Sequence, residues 1–145
     1  MRSTYDQTAL EVLTFLAGIY EQLAAFCLHL LQEAEADSLL GETTSDVLCR
    51  NYRNGLFVEA WVETKVGEGR DARALTWWMD IRPYDEGWLV DAQVFWNERD
   101  GQDVVVQFPE QLSPDFKTVQ QEAPDILERL FQEGKRVLDA NLRAS

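Results

Sequence analysis

The sequence is poor in the residues that most often carry chemistry. It has one histidine, His29, and two cysteines, Cys27 and Cys49, which share no Cys-x-x-Cys spacing. A structural zinc set needs four Cys or His ligands at short spacings, so none is encoded and no metal ligand is assigned. A nucleophile–histidine pair would have to use His29. Cys27 is only two residues away, and residues at that spacing do not face each other on a helix. No catalytic residue and no cofactor are therefore expected. Cys27 reads as a packed free thiol.

Basic residues are also scarce: 13 Lys and Arg stand against 26 Asp and Glu, a formal net charge of −13. Nucleic-acid binding relies on cations to neutralise phosphates, so that class is excluded. Gly67-Glu68-Gly69-Arg70 lacks the Gly-Lys-Ser/Thr ending of a phosphate loop, and no helix pattern follows it. The run from Trp96 to Gly101 starts without a calcium-loop carboxylate, and Gln107 stands where the closing Glu would be. A long unbroken apolar run is missing as well. The stretch Ala9 to Leu31 is interrupted by Glu11, Glu21, Gln22 and His29, and fits neither a signal peptide nor a spanning helix. The expectation is a soluble, cytoplasmic chain with no membrane contact.

What is present is enough apolar material for a core. Of 145 residues, 46% are hydrophobic and 11% aromatic, with five tryptophans. That composition is not that of an acidic disordered chain, and the length fits one domain over residues 1–145. Repeats and low-complexity segments are absent. The charge is uneven: residues 1–45 carry a net −6, residues 46–114 another −6, and residues 115–145 only −1.

Residues 5–36 read as one long helix, free of Pro and rich in Leu and Ala, with Ser3 or Thr4 as cap. It has two apolar stripes. One runs Leu13, Leu16, Ala17, Tyr20, Leu23, Ala24, Cys27, Leu30, Leu31; the other runs Val12, Phe15, Ile19, Phe26, beside Gln22 and His29. A helix apolar on more than one face must be covered twice. The second stripe (Val12, Phe15, Ile19, Gln22, Phe26, His29) is the candidate interface of a homodimer. The alternative is a helix gripped between the sheet and the C-terminal helix.

Turn signals at Asn54-Gly55, Gly67–Asp71, Asp85–Gly87 and Asp100-Gly101 separate strands over 46–53, 56–66, 73–82, 88–98 and 102–108. Short connections make consecutive strands antiparallel. Ser113-Pro114 predicts a helix start, and Pro124 predicts a break in it. The residues after it put Ile126, Leu127, Leu130, Phe131, Val137, Leu138 and Leu142 on one stripe, with Gly134 marking a close approach. The fold class is α+β: a long N-terminal helix, a four- to five-stranded antiparallel meander, and a C-terminal helix broken near Pro124.

Alternation gives the sheet one apolar face: Val58, Ala60 and Val62; Leu75, Trp77, Met79 and Ile81; Trp88, Val90, Ala92, Val94 and Trp96; Val104, Val106 and Phe108. The other face mixes Phe57, Trp61, Trp78, Leu89 and Phe95 with Asp80, Arg82, Asp91 and Gln93, and with Glu59 and Glu63. Aromatics rimmed by polar groups suit a partner surface or a ligand cleft. Cross-strand aromatic pairing that only stabilises the sheet is the plainer explanation. Asp80 and Asp91 share that face as a carboxylate pair, a weak signal in so acidic a chain.

These features favour a non-enzymatic protein-binding module of adaptor, chaperone-like or inhibitor-like type, acting as a homodimer and meeting a basic protein partner through its negative field. The alternative is a small-molecule-binding α+β domain with an aromatic-lined pocket on the sheet. The two differ in one observable: a pocket needs a helix of the same chain over the mixed face, and a protein-binding surface leaves that face open.

Overall fold

The computed structural model describes residues 4–52 and 55–144, and side chains within 10–49 and 57–144. Helix α1 (Thr4–Ala36) is followed by β1 (Leu40–Tyr52), β2 (Gly55–Val66), β3 (Arg73–Tyr84), β4 (Gly87–Glu98), β5 (Gly101–Gln107), a short β6 (Gln111–Ser113) and helix α2 (Phe116–Arg143). Strands β1 to β5 lie side by side in chain order, each antiparallel to the next. This is the α+β meander that the turn spacing implies. Ser3 and Asn54, expected at the first cap and first hairpin turn, lie outside the described residues.

The structure adds β6, which pairs with the first half of β4 (Trp88 with Ser113, Leu89 with Leu112) on the side where β5 pairs with the second half. Ser113 is thus a strand residue. The cap of α2 is Asp115, whose Oδ1 accepts from the Thr118 backbone N–H and hydroxyl, each at 2.8 Å. Helix α2 also runs on through Pro124, where the sequence predicts a break. Proline forfeits one helical hydrogen bond there. Burial of Ala123, Ile126 and Leu127 around it holds the turn together. The Pro124 carbonyl accepts a 3.0 Å hydrogen bond from Gln22 Nε2 of α1.

Both helices pack on one face of the sheet. The core joins Phe15, Ile19, Leu23, Phe26 and Leu30 of α1 and the Val119–Leu138 stripe of α2 to Val58, Ala60, Val62, Leu75, Trp77, Met79, Ile81, Val90, Ala92, Val94 and Trp96. Every one of these strand residues is on the face that alternation made apolar. Val104 departs from it. Val94 pairs with Val106 but Phe95 with Val104, so Val105 is an extra residue in β5. A bulge of this kind flips the alternation beyond it. Val104 therefore shares the mixed face with Phe95 and is exposed.

The junction of the layers is Trp77. Phe26 of α1 meets its ring edge-on at 4.9 Å between centroids, and Phe26 stacks on Phe131 of α2 at 4.2 Å. Gly134 lies over the same indole; a Cβ there would come within 2.6 Å of Trp77 Cδ1. The helices are also pinned by Lys135, whose Nζ sits 2.8 Å from Glu33 on α1 and 2.6 Å from Asp139.

Gly134→Ala separates propensity from packing. Alanine favours a helix interior by about 1 kcal/mol over glycine. Here the methyl must displace the Trp77 indole, and overpacking costs about 1–3 kcal/mol. With a close approach this severe the cost sits at the upper end, so net of the propensity gain the variant is expected to be about 1–2 kcal/mol less stable than the wild type in urea unfolding. Equal or greater stability would contradict the close approach.

Candidate functional site: an open mixed sheet face

The strand register arranges the mixed face in rows. One row runs Asp46, Trp61, Trp78, Gln93 and Gln107 across β1 to β5. The next runs Leu48, Glu59, Asp80 and Asp91. On the other side of the tryptophans lie Thr44, Glu63, Thr76, Phe95 and Val104. Arg82, Leu89 and Leu112 make a fourth row over β3, β4 and β6. Phe57 pairs with Arg50 at the β1–β2 end. All nine residues expected on this face are therefore together on it. The alternation did not bring in Asp46, Leu48 and Leu112, because it assigned no faces to β1 or β6.

No helix covers these rows among the described residues. Phe26 and Gly134 meet Trp77, and Phe116 meets Trp88, all on the opposite face. The roof that a sheet-lined pocket would need is thus on the wrong side. Two clefts lie mainly against the helices. One of about 640 Å³ runs between α1 and α2 at Leu10, Phe15, Gly18 and Pro124, and one of about 500 Å³ lies between β4 and α2 at Ala92, Phe108 and Arg129.

Burial on the open face is nonetheless uneven. Trp61 and Trp78 are half-buried and Arg82 is exposed, whereas Leu89, Phe95, Thr76 and Asp80 are buried. Asp80 is the extreme case: it is 3% exposed, and its Oδ1 has no hydrogen-bond partner. Its opposite neighbours on both sides, Glu59 and Asp91, are acids. Burial pushes the Asp80 carboxyl up to about 6; Asp91, Glu59 and Glu110 push the same way, and Arg82 opposes them. Asp91 is better served, accepting from Gln107 Nε2 at 3.0 Å. Thr76 donates to Glu63 at 3.3 Å.

The stripe assigned to self-association is placed differently. Phe15 and Ile19 are buried in the intrachain core, Phe26 lies in the Trp77 junction, and Gln22 is held by Pro124. Val12 is half-buried, and His29 is exposed beside Glu33 at 3.3 Å. This stripe is therefore not available to a second copy; the gripped-helix alternative describes it. The helix leaves another face outside. Leu13 is 63% and Tyr20 61% exposed, and Leu10, Leu28 and Leu31 are about half exposed. Leu10, Ala17, Ala24 and Leu31 repeat every seven residues, with Leu13, Tyr20, Cys27 and Ala34 three residues after each, although Cys27 and Ala34 are half-buried against the intrachain core. That spacing is the a/d pattern of a coiled-coil seam. It is legible in the sequence, but an apolar stripe is equally legible as core. By length and composition alone, Leu10–Ala36 is also long and apolar enough to cross a membrane.

The chain matches no family model, no curated protein and no solved structure. Among the described residues no group of three His, Cys, Asp or Glu is arranged to hold a metal ion.

The buried carboxyl sets a pH dependence. A group whose folded pKa lies above its unfolded value takes up its proton in the folded state first. Folding thus gains stability as pH falls through about 6 toward 4, and Asp80 is a burden above 6. Asp80→Asn is expected to be more stable than wild type at pH 8, by on the order of 2 kcal/mol. The gap should narrow steadily in urea unfolding as pH falls from 6 toward 4. A pH-independent difference would mean that Asp80 is not the buried titrating group.

Proposed function

We propose that the protein is a non-catalytic binding module that presents the open face of its sheet to a basic protein partner and acts as a homodimer. The observation that carries this reading is the placement of both helices on one side of the sheet. It leaves the half-buried Trp61–Trp78 pair, flanked by acids, without a helix above it among the described residues. Large aromatics at the centre of an acidic surface have the composition of an interface, since Trp anchors interfaces and complementary charge steers encounter. The net charge of −13 supports a partner of opposite sign.

The outer face of α1 supports the homodimer. The exposed part of its heptad seam spans residues 10–31, about 32 Å of helix at 1.5 Å per residue. None of its a or d positions is charged. A lipid surface is the less suitable occupant, because α1 contains acids and no Lys or Arg, and anionic headgroups attract basic segments. Ala17 and Ala24 let two backbones approach closely between the larger Leu10, Leu13, Tyr20 and Leu31.

Two measurements test the two halves. Cross-linking in extract of the native host should retain a basic partner on wild type and on Arg136→Ala, a control on α2. The double variant Trp61→Ser/Trp78→Ser should lose it; undiminished capture by that variant overturns the sheet-face reading. Sedimentation at tens of micromolar should show a dimer that Leu13→Glu converts to a monomer. A wild type already monomeric there overturns the seam.

A further inference from the structure

Glu59, Asp80 and Asp91 stand directly opposite one another on three adjacent strands. Side chains so placed have Cβ atoms about 4.5–5.5 Å apart, and like charges there repel. The middle carboxylate is the least compensated. Asp80 is buried, its Oδ1 accepts no hydrogen bond, and among the described residues Glu110 joins Glu59 and Asp91 as a third acid acting on it, with Arg82 opposing them. Neighbouring polar groups do not fill the gap: Gln107 is committed to Asp91, and Thr76 to Glu63.

Arg82 acts on Asp80 through its charge but makes no hydrogen bond to Oδ1, so the acid row has room for a second cation with several donors. The tryptophans restrict its kind. Trp61 and Trp78 form the row next to the acids, directly opposite each other and half-buried. A guanidinium is planar, carries five N–H donors, grips carboxylates through two bonds at once and stacks on indole; an ammonium does none of these as well. The sheet already contains this combination, satisfied from within, at another place. Arg73 lies 3.8 Å from the ring centroid of Trp96 and 3.3 Å from Glu98. On the open face the acids and indoles are present, and the chain supplies no equivalent stacked arginine among the described contacts.

We propose that the row Glu59–Asp80–Asp91, with Trp61 and Trp78 beside it, is a binding site for an arginine side chain of a partner protein. This rests on the reading of the open sheet face as a partner surface and names what that surface selects. The arginine lays its guanidinium along the indoles and donates to the carboxylates of Glu59 and Asp91, and it reaches the Oδ1 of Asp80 only once the side chains that seal that atom move aside.

The test uses the full chain and three capped pentapeptides, Ser-X-Ser-X-Ser, with X as arginine, lysine or citrulline. Binding is followed by NMR of the indole N–H and side-chain carboxyl signals. The arginine peptide is expected to shift Trp61, Trp78 and Asp80 and to bind about tenfold more tightly than the lysine peptide. Citrulline, isosteric but neutral, should leave the spectrum unchanged. Asp80→Asn should weaken arginine binding at least about fivefold while keeping or raising stability, and Asp91→Asn serves as the second variant if the first fails to fold. Equal binding of all three peptides, shifts confined to other residues, or unchanged affinity in the folded carboxyl variant would overturn the site. A native partner lost with Trp61→Ser/Trp78→Ser but retained by Asp80→Asn would keep the binding-module reading and overturn the arginine site alone.

Discussion

The arrangement of this protein hangs on the indole of Trp77. It projects from the middle of β3 into a space that α2 leaves only by having glycine at position 134, and Phe26 of α1 closes on its edge. The stacking of Phe26 on Phe131 then ties the two helices to each other over the same ring. Sealing is tight enough that the indole Nε1 is left without an acceptor, a loss tolerated because packing around a large aromatic outweighs one missing hydrogen bond. Once Trp77 points to one side, the period of the strand sends Trp78 to the other. Both helices are committed to the Trp77 side, so the Trp78 side is left without a layer. An open face follows directly from where the core is locked.

The open face is not a solvated back of the kind that antiparallel sheets usually turn to water. It buries Leu89, Phe95 and Thr76 although no helix of the described residues lies over them, and leaves two tryptophans half-covered. It also retains a buried carboxylate between two other acids, which destabilises the isolated chain near neutral pH. Replacement of such a group by a neutral one is generally cheap, so an arrangement of this sort is understandable where the bound state supplies what the free state lacks. The same logic applies to the outside of α1, where Leu10, Leu13, Tyr20 and Leu31 are left exposed.

Much of this was legible in the sequence because strands write their faces in a two-residue code. The apolar rows Val58–Ala60–Val62 and Leu75–Trp77–Met79–Ile81, and the mixed rows through Trp61, Trp78 and Phe95, follow from alternation alone. Gly134 on an otherwise apolar helical stripe marked the approach to Trp77. Three things were not legible, each for a physical reason. The bulge at Val105 leaves no signature in a Val-Val-Val run, so Val104 was placed on the wrong face. Pro124 signals a break locally, but burial of its neighbours overrides a single lost hydrogen bond. In α1 the apolar residues run around most of the helix, so spacing identifies stripes without saying which one the sheet takes. Phe15, Ile19 and Phe26 went inward, because the Trp77 junction requires an aromatic at 26 and its helical neighbours follow. Hence the stripe read as an interface became core, and part of the stripe read as core was left outside.

The acidity can now be given a location rather than a total. Residues 115–145, which supply α2, are close to neutral, and their helix covers the core side of the sheet. The acids of the middle segment include the row on the open face, where Glu59, Asp80 and Asp91 are fixed by register and not free to spread. Charges held at such spacing by a backbone act differently from the same number scattered over a surface. Scattered charges are screened and relax apart; a fixed row retains its repulsion until a counter-charge of matching geometry arrives. Solubility needs only the first kind. The second kind, set beside paired indoles on a face that no helix covers, gives the negative charge a direction and a shape, and a shape selects among cations where a total cannot.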